Sequence, residues 1–215
     1  MSVVDRIREV GIIPVVRAMS AEEALEAVEA IRAGGIPILE ITLTVPGAVK
    51  IIKDLTYRLG DTVLIGAGTV LDADSARACI DAGARFIVSP SLDLQTVETC
   101  RLLDVPVFPG ALTPTEVVTA WKAGADAVKV FPANAVGGAS YLKSLKAPLP
   151  QIELIPTGGV SLKTVADFMA AGAMALGVGA DLVNLTALRN GDAASVTAKA
   201  REYVAAVSAA RSATA

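Results

Sequence analysis

Two charged side chains interrupt strand-like segments that are otherwise apolar. Glu40 lies within Ile38–Leu43, and Lys129 lies within Ala127–Phe131. An ionised group in a buried strand is unfavourable unless it is paired or shifts its pKa. Lys129 is the only lysine inside such a segment, and a desolvated amine near a carboxylate predicts a lysine that forms a Schiff base with a carbonyl substrate. The competing interpretation is a structural ion pair, although such pairs stabilise cores weakly.

The composition narrows this chemistry further. The chain of 215 residues contains no histidine, which excludes Ser-His and Cys-His nucleophile pairs and imidazole as a metal ligand. A metal-dependent mechanism is therefore disfavoured, although an all-oxygen Mg²⁺ site stays open. Proton transfer falls to carboxylates, lysine, tyrosine, the substrate or water.

Charge and hydropathy also exclude several kinds of partner. A net charge of −3 and a pI near 5.1 argue against a nucleic acid or a polybasic membrane contact. No segment approaches the roughly 18 uninterrupted apolar residues of a membrane span, and residues 1–9 mix charges too early for a secretory signal. The two cysteines, Cys79 and Cys100, lie in helix-like stretches, which predicts reduced thiols in a cytoplasmic protein.

The residues that carry the chemistry need a scaffold, and a repeated pattern indicates which one. A helix-like segment ends in Ala-Gly and a small residue, and an apolar strand follows, with glycines at Gly34, Gly83, Gly124 and Gly172. Glycine suits the left-handed turn that closes a helix. Strands that alternate with helices predict βαβ units around a parallel sheet. We predict eight strands, at 12–17, 36–43, 62–68, 86–89, 105–108, 126–131, 152–156 and 174–178.

Eight strand–helix units favour a closed (β/α)8 TIM barrel, with an open doubly wound sheet as the alternative. In the open sheet, a Gly-x-Gly-x-x-Gly turn would be expected after the first strand, whereas this chain has Arg17–Ser20 there. The chain has no linker or low-complexity block, so we expect residues 1–215 to form a single domain.

Helix starts and the two termini complete this prediction. Ser20–Glu23 and Thr113–Glu116 match the capping box that begins a helix. We predict an additional N-terminal helix at about 2–10 and a last helix near 192–210, with fraying of residues 212–215.

Catalytic groups of a barrel point inward at the carboxyl ends of its strands. Period-two alternation directs Glu40 inward from the second strand and Lys129 inward from the sixth. These strands are opposite in a ring of eight, so the two side chains should meet near the axis, directly or through one water, with Glu40 as acid and base. Arg17 closes the first strand, where it either clamps a carboxylate or pairs with a nearby helix.

Glycine-rich segments follow the last two strands, at Thr157–Gly159 and Gly177–Ala180. Loops at these places often hold a phosphate on backbone N–H groups, although turn geometry alone also explains glycine pairs. Together they favour a phosphorylated substrate. Thr69, after the third strand, would place a hydroxyl in the mouth, and Phe131 either lines the lysine or belongs to the core.

Taken together, the motifs resemble those of the class I 2-dehydro-3-deoxy-6-phosphogluconate (KDPG) aldolases, also called 4-hydroxy-2-oxoglutarate aldolases where they are bifunctional. The resemblance runs in unbroken order from about Val10 to Val183. It rests on Leu39–Leu43, Gly66–Val70, Ser89–Pro90, Phe108–Gly110, Val128–Pro132 and Pro156–Val160. It implies a (β/α)8 barrel, a homotrimer, and no metal or organic cofactor.

The resemblance also implies roles for individual positions. Lys129 resembles the Schiff-base lysine and Glu40 the general acid and base. The residues that resemble ligands and walls of the pyruvate pocket are Thr69, Pro90, Phe131 and Thr157. Those that resemble the phosphate site are Gly158, Gly159, Gly179 and the Ala180 amide.

Two positions depart from the family pattern. Some members carry an arginine for the substrate carboxylate where this chain has Thr44, and Arg17 is similar to the arginine that the other branch uses instead. Ala180 stands where many relatives have serine, which leaves only backbone amides as donors there.

The hypothesis that follows is reversible cleavage of KDPG into pyruvate and glyceraldehyde 3-phosphate by Lys129 and Glu40. Cleavage of 4-hydroxy-2-oxoglutarate into pyruvate and glyoxylate is a second reaction to be tested. The partners are thus a keto acid and a phosphorylated aldehyde. Two alternatives stay open: a phosphosugar isomerase, epimerase or synthase in which Lys129 acts only as a cation beside an enolate, and a non-catalytic trimeric scaffold.

Overall fold

The computed structural model describes residues 1–213, in which parallel strands alternate with helices. The strands are β1 (Ile12–Val16), β2 (Ile38–Thr42), β3 (Leu64–Gly68), β4 (Ile87–Val88), β5 (Val107–Phe108), β6 (Gly110–Ala111), β7 (Val128–Val130), β8 (Leu154–Pro156) and β9 (Leu176–Val178). The helices are α1 (Val3–Val10), α2 (Ala21–Ala33), α3 (Ala48–Leu59), α4 (Ala73–Asp81), α5 (Leu94–Leu102), α6 (Pro114–Ala123), α7 (Ala139–Lys146), α8 (Val165–Ala170), α9 (Leu185–Arg189) and α10 (Ala193–Ser212). Two short 3₁₀ helices span Gly60–Thr62 and Ala133–Val136.

These strands close into a barrel. One parallel sheet has the order β5-β4-β3-β2-β1-β9 and the other has the order β6-β7-β8. The sheets join at one edge because β5 and β6 follow each other across Pro109, and at the other edge through bridges from Leu154 to Ala173 and from Thr157 to Gly177. The predicted α/β TIM-barrel fold is confirmed, and the doubly wound sheet is not formed.

The fifth barrel strand differs from its predicted bounds of 105–108. It begins at Val107 and resumes beyond Pro109 as β6, which pairs with β7. The interruption arises because proline has no N–H to donate to a ladder, although the Pro109 carbonyl still accepts the Lys129 N–H at 2.9 Å. The other seven strands lie inside their predicted ranges and are shorter.

The two predicted capping boxes differ in outcome. Thr113 accepts from the N–H of Glu116, and the Glu116 carboxylate returns to the Thr113 N–H, so that box is complete. Ser20 accepts from the N–H of Glu23, but the Glu23 carboxylate reaches past Ser20 to the N–H of Met19. The second half of that box was therefore predicted wrongly.

The repeated glycines close helices in a left-handed conformation, with one shift of register. Three have a φ between 91° and 102°: Gly83, Gly124 and Gly172. In the first copy the left-handed residue is Gly35 (φ 95°) rather than the predicted Gly34. Gly34 is needed for a different reason, since a Cβ there would overlap Ala200 of α10.

Apolar side chains fill the molecule in two layers. One layer lies between the strands and the surrounding helices. The other fills the inside of the barrel, and we refer to it as the barrel floor: Ile7, Ile13, Ile38, Leu64, Phe86, Val88, Phe108, Ala127, Ile155, Met174 and Ala175. Ile7 comes from α1 and is fully buried, so this N-terminal helix closes the barrel at the end opposite the carboxyl ends of the strands.

The terminal helices lie close to their predicted ranges of 2–10 and 192–210. For the predicted fraying of residues 212–215, Ser212 is still helical, and Thr214 and Ala215 lie outside the described residues. Among residues 1–213, no helix is long and apolar enough to cross a membrane. The single domain over 1–215 stays a prediction.

Candidate active site

Strand alternation brings Glu40 and Lys129 to the barrel axis. On β2, Leu39 and Ile41 pack outward against the helices, while Ile38 belongs to the floor, so Glu40 points inward one layer above it. On β7 the inward residue before Lys129 is Ala127 of the floor. The two side chains approach from opposite walls and are each 3% exposed.

The two charged groups lie near each other without forming a hydrogen bond. Lys129 Nζ is 3.9 Å from Glu40 Oε1, well beyond the roughly 2.7–2.9 Å of a charge-assisted hydrogen bond. Glu40 Oε1 has no hydrogen-bond partner among the described residues, although it is buried. A structural ion pair would satisfy its oxygens, so this spacing favours a pair that awaits a substrate atom or a water between its members.

Two glycines of β3 make room for this arrangement. A Cβ on Gly68 would overlap Glu40 Oε1, and a Cβ on Gly66 would overlap the ring of Phe86 in the floor. Gly68 therefore leaves room for the carboxylate in one layer, and Gly66 leaves room for an aromatic ring in the layer below. From the sequence, the glycines of this segment could be interpreted only as relieving crowding, without the side chain they make room for; the place of Gly68 in the strand next to that of Glu40 was the available signal.

Burial lowers the pKa of Lys129 below the ordinary lysine value of 10.5, and the charge of Arg17 lowers it further. Glu40 acts in the opposite direction and raises the pKa, but burial is the larger effect. The amine also lies 5.4 Å from the centroid of the Phe131 ring. The surroundings thus favour a neutral, nucleophilic amine.

A cavity of about 460 Å³ opens at the carboxyl ends of the strands. Seven of the eleven predicted site residues line it: Arg17, Phe131, Thr157, Gly158, Gly159, Gly179 and Ala180. Lys129 is not part of the lining, but its amine lies beside the ring of Phe131, which is part of it. The Arg17 guanidinium lies across Gly179, with Nη1 3.5 Å from the position that a Cβ would take there.

The other predicted residues lie at the ends of neighbouring strands, outside the lining of this cavity. Thr69 follows β3 and has a φ of 56°, which is strained for a β-branched residue. Pro90 follows β4, and its carbonyl occupies the space in which a Cβ of Gly110 would lie. Gly110 is in turn the register partner of Lys129, so Pro90 lies along the same wall as the amine.

Sequence reasoning missed three polar residues around the cavity. Ser161 and Asp181 are part of its lining, and Asp181 accepts a hydrogen bond at 2.6 Å from the buried Tyr203. Asn134 packs against the turn at Gly158, where a Cβ would lie 2.8 Å from its Oδ1. Ser161 and Asp181 lie in loops, and Asn134 lies in the 3₁₀ helix Ala133–Val136. None of them belongs to an apolar run, so only the fold brings them to the site.

Other candidate regions carry less chemistry. A larger groove of about 650 Å³ lies between α7 and α8 and shares only Gly159 with the predicted site. Burial raises the pKa of Cys79 to about 11 and that of Cys100 to about 12, so neither is a ready nucleophile. Among residues 1–213, acidic and cysteine side chains form no group of three that could hold a metal ion.

The fold and the site together describe a parallel α/β barrel that holds a buried amine and a buried carboxylate near the carboxyl ends of its strands. Comparison with known proteins supplies the family. The sequence matches the KDPG and KHG aldolase family over residues 3–199. The chain belongs to this family and is therefore an aldolase, a carbon–carbon lyase.

Individual relatives agree with this assignment. The chain is 32% identical to 2-dehydro-3-deoxy-phosphogluconate aldolase of Treponema pallidum over 94% of its own length and 96% of the relative. It is 37% identical to 2-dehydro-3-deoxy-6-phosphogalactonate aldolase of Escherichia coli over 80% and 83% of the two chains. The crystal structure of KDPG aldolase from Legionella pneumophila, with pyruvate captured as a covalent carbinolamine, superposes with a TM-score of 0.85 at 31% identity and covers 92% of this chain and 96% of that one.

Proposed function

We propose that this protein is a Schiff-base aldolase that cleaves KDPG reversibly into pyruvate and glyceraldehyde 3-phosphate. The observation that carries the proposal is the buried Lys129–Glu40 pair, with 3.9 Å between Nζ and Oε1 and no hydrogen bond to that oxygen from any residue in the range 1–213. The names of the relatives, and the covalent pyruvate adduct of the Legionella enzyme, support the same reaction.

The chemistry can be written for these residues step by step. The neutral Lys129 amine attacks the C2 ketone, Glu40 supplies the proton with which the carbinolamine oxygen leaves as water, and an iminium remains. Glu40 then takes the proton of the C4 hydroxyl, the C3–C4 bond breaks, and its electrons move into the iminium to give an enamine. Glyceraldehyde 3-phosphate departs, C3 is protonated, and hydrolysis of the new iminium releases pyruvate and restores Lys129.

The remaining predicted residues divide between the two ends of the substrate. Arg17 carries a charge suited to the substrate carboxylate. The pyruvate moiety is assigned to Thr69, Pro90, Phe131 and Thr157. The phosphate is assigned to the backbone of Gly158, Gly159, Gly179 and Ala180. Gly158 and Gly159 are in a left-handed conformation (φ 95° and 74°), and turns of this kind can present backbone N–H groups to an anion.

Borohydride trapping tests the covalent step. Wild-type protein incubated with pyruvate and borohydride should gain the mass of one reduced pyruvate on the Lys129 peptide, and Lys129→Met should gain none. Lys143→Ala, which removes an exposed lysine, is the matched control and should trap as wild type does. An adduct that persists in Lys129→Met would contradict the proposal.

The same assay separates the alternatives. A phosphosugar isomerase, epimerase or synthase would give no adduct and would turn over a ribulose- or indole-type phosphate. A scaffold would do neither. Steady-state rates on the two C4 epimers of the phosphosugar acid and on 4-hydroxy-2-oxoglutarate then show which substrate is preferred, and whether the second reaction occurs.

We also propose the homotrimer. Leu71 and Leu94 are 57% and 53% exposed in the segments that follow β3 and β4, where a second copy would cover them. Light scattering should give the mass of three chains, and a monomer mass would contradict this part. The cytoplasmic location and the lack of a cofactor stay predictions.

A further inference from the structure

A buried carboxylate outside the proposed reaction joins two loops of the barrel mouth. Glu23 of α2 is 9% exposed. Its Oε2 accepts the Met19 N–H at 2.6 Å, and its Oε1 accepts Arg189 Nε at 2.6 Å. Met19 lies two residues beyond Arg17, and Arg189 ends the helix that follows the Gly179–Ala180 segment. Glu23 therefore connects the segment that follows β1 to the helix that follows the segment after β9, and β1 and β9 are neighbouring strands.

This contact differs from an ordinary helix cap or surface ion pair. A capping-box glutamate returns to the N–H of its own N-cap residue, which here would be Ser20. The pair between Glu29 and Arg32 on the same helix provides a comparison, because both of its members are 48% exposed and it spans a single turn. Such exposed pairs contribute little. The Glu23 side chain is only 10% exposed, although that of Arg189 is 52% exposed, and its two donors, Met19 and Arg189, lie far apart in the chain.

Arg17 lies next to the segment that Glu23 contacts. Its guanidinium makes no hydrogen bond or salt bridge to any residue in the described range 1–213, and it lies against Gly179. The side chain is exposed, so the backbone of residues 17–20 is what sets the point from which Arg17 reaches the cavity, and Glu23 holds that backbone at Met19. We infer that Glu23 is a positioning residue, which together with Arg189 aims Arg17 at the substrate carboxylate.

The inference rests on the proposed function, and a double-mutant cycle tests it. Glu23→Ala should raise KM, and the pyruvate concentration for half-maximal trapping, by about tenfold, the scale of a small misplacement in a site. The value of kcat should change much less. In an Arg17→Ala background, Glu23→Ala should have no further effect on either quantity, because residues that act through one another are not additive. Glu23→Gln keeps an acceptor for Met19 and should recover part of the loss.

Controls separate positioning from folding and from the reaction itself. Glu29→Ala should behave as wild type, and Arg189→Ala, which leaves the Met19 contact, should change KM in the same direction but less. Amide hydrogen exchange of residues 17–20 should become faster in Glu23→Ala and stay unchanged in Glu29→Ala. An equal rise in KM with and without Arg17, or unchanged exchange at residues 17–20, would overturn the inference. Failure of the wild type to trap pyruvate would instead contradict the proposed function, and the exchange measurement would still decide the role of Glu23.

Discussion

The two ends of the barrel interior are built on the same strands but differ in composition, because one end is apolar and the other contains buried charged groups. The floor is filled with apolar side chains from Ile7 to Ala175, all of them buried. One layer above lie a buried amine, a buried carboxylate with an unpartnered oxygen, and Thr69 in a left-handed conformation. The strand β2 shows the contrast within three residues, with Ile38 in the floor and Glu40 in the mouth.

This difference indicates that the floor contributes mainly to stability and the mouth mainly to reactivity. Side chains in the floor gain stability from burial and close packing. Buried polar groups without partners are unfavourable, and they persist here only because the surrounding barrel holds them. The comparison predicts that floor variants change stability and mouth variants change activity.

The largest contrast should come from Lys129→Met and Ile38→Ala. Loss of the nucleophile should lower kcat/KM by at least about 10⁴-fold, within the range seen when a catalytic nucleophile is removed, with a circular dichroism spectrum like that of the wild type. Ile38→Ala should lower the free energy of unfolding by about 2–5 kcal/mol and leave kcat of the folded protein nearly unchanged. Urea unfolding measures the stability of the two variants, and steady-state kinetics measure their activity. Equal loss of activity in the two variants would contradict the expected difference between the floor and the mouth.

Gly66 and Gly68 offer a finer test within one strand. A methyl group on Gly68 displaces the Glu40 carboxylate, so Gly68→Ala should lower kcat by about 10²-fold, the lower scale for loss of a general acid or base. A methyl group on Gly66 pushes against Phe86, so Gly66→Ala should destabilise by about 1–3 kcal/mol. Kinetics and thermal unfolding of both variants check this, and an inactive but equally stable Gly66→Ala would contradict it.

The pH dependence should shift in opposite directions when the charges near Lys129 are removed. Only the neutral amine attacks, so trapping slows as the pH falls through the lowered pKa of Lys129. Arg17 helps to lower this pKa and Glu40 raises it. The acid limb of the trapping rate should therefore move to higher pH in Arg17→Ala and to lower pH in Glu40→Gln. A limb that stays in place in both variants would show that these charges do not act on the amine.

The same pKa shift links stability to pH. Folding lowers the pKa of Lys129 below 10.5, so the unfolded chain binds this proton more readily than the folded one. The unfolding free energy of the wild type should therefore fall, relative to that of Lys129→Met, as the pH drops from 10.5 toward the folded pKa, and then level off. Urea unfolding at a series of pH values measures this difference, and a constant difference would contradict it.

The smallest effects should appear at the two non-glycine residues with positive φ, one at each end of the barrel. Thr69 and Asp104 both have a φ of 56°. Aspartate tolerates this conformation better than a β-branched residue does, so Thr69→Gly should gain stability relative to Asp104→Gly, by up to about 1 kcal/mol. Thr69→Gly should also lose activity, whereas Asp104→Gly should not. Full activity in Thr69→Gly would show that the Thr69 side chain has no role in the site.

The sequence predicted much of the fold and the centre of the site, because both have local signals. A charge within an apolar run marks Glu40 and Lys129 without any knowledge of contacts. Alternation then gives their direction, and the strand count gives the opposite walls. The continuation of the fifth strand at Gly110–Ala111 was missed because proline followed by glycine is typical of a turn, and only the pairing with β7 makes these residues a strand.

Contacts between distant segments could not be predicted in this way. The reach of Glu23 to Arg189 spans 166 positions, and the capping pattern around Ser20 predicted a local partner instead. Ser161 and Asp181 lie at the cavity because two loops converge there, and the residue pattern of either loop alone does not indicate this. The same holds for the position of Arg17 across Gly179.

The central claim is that the Lys129 amine bonds covalently to a keto acid beside Glu40, and a crystal structure of the protein soaked with pyruvate tests it most directly. The electron density should be continuous from Lys129 Nζ to C2 of pyruvate, with the Glu40 carboxylate within hydrogen-bonding distance of the adduct. Pyruvate bound without a covalent link, or attached to another lysine, would contradict it.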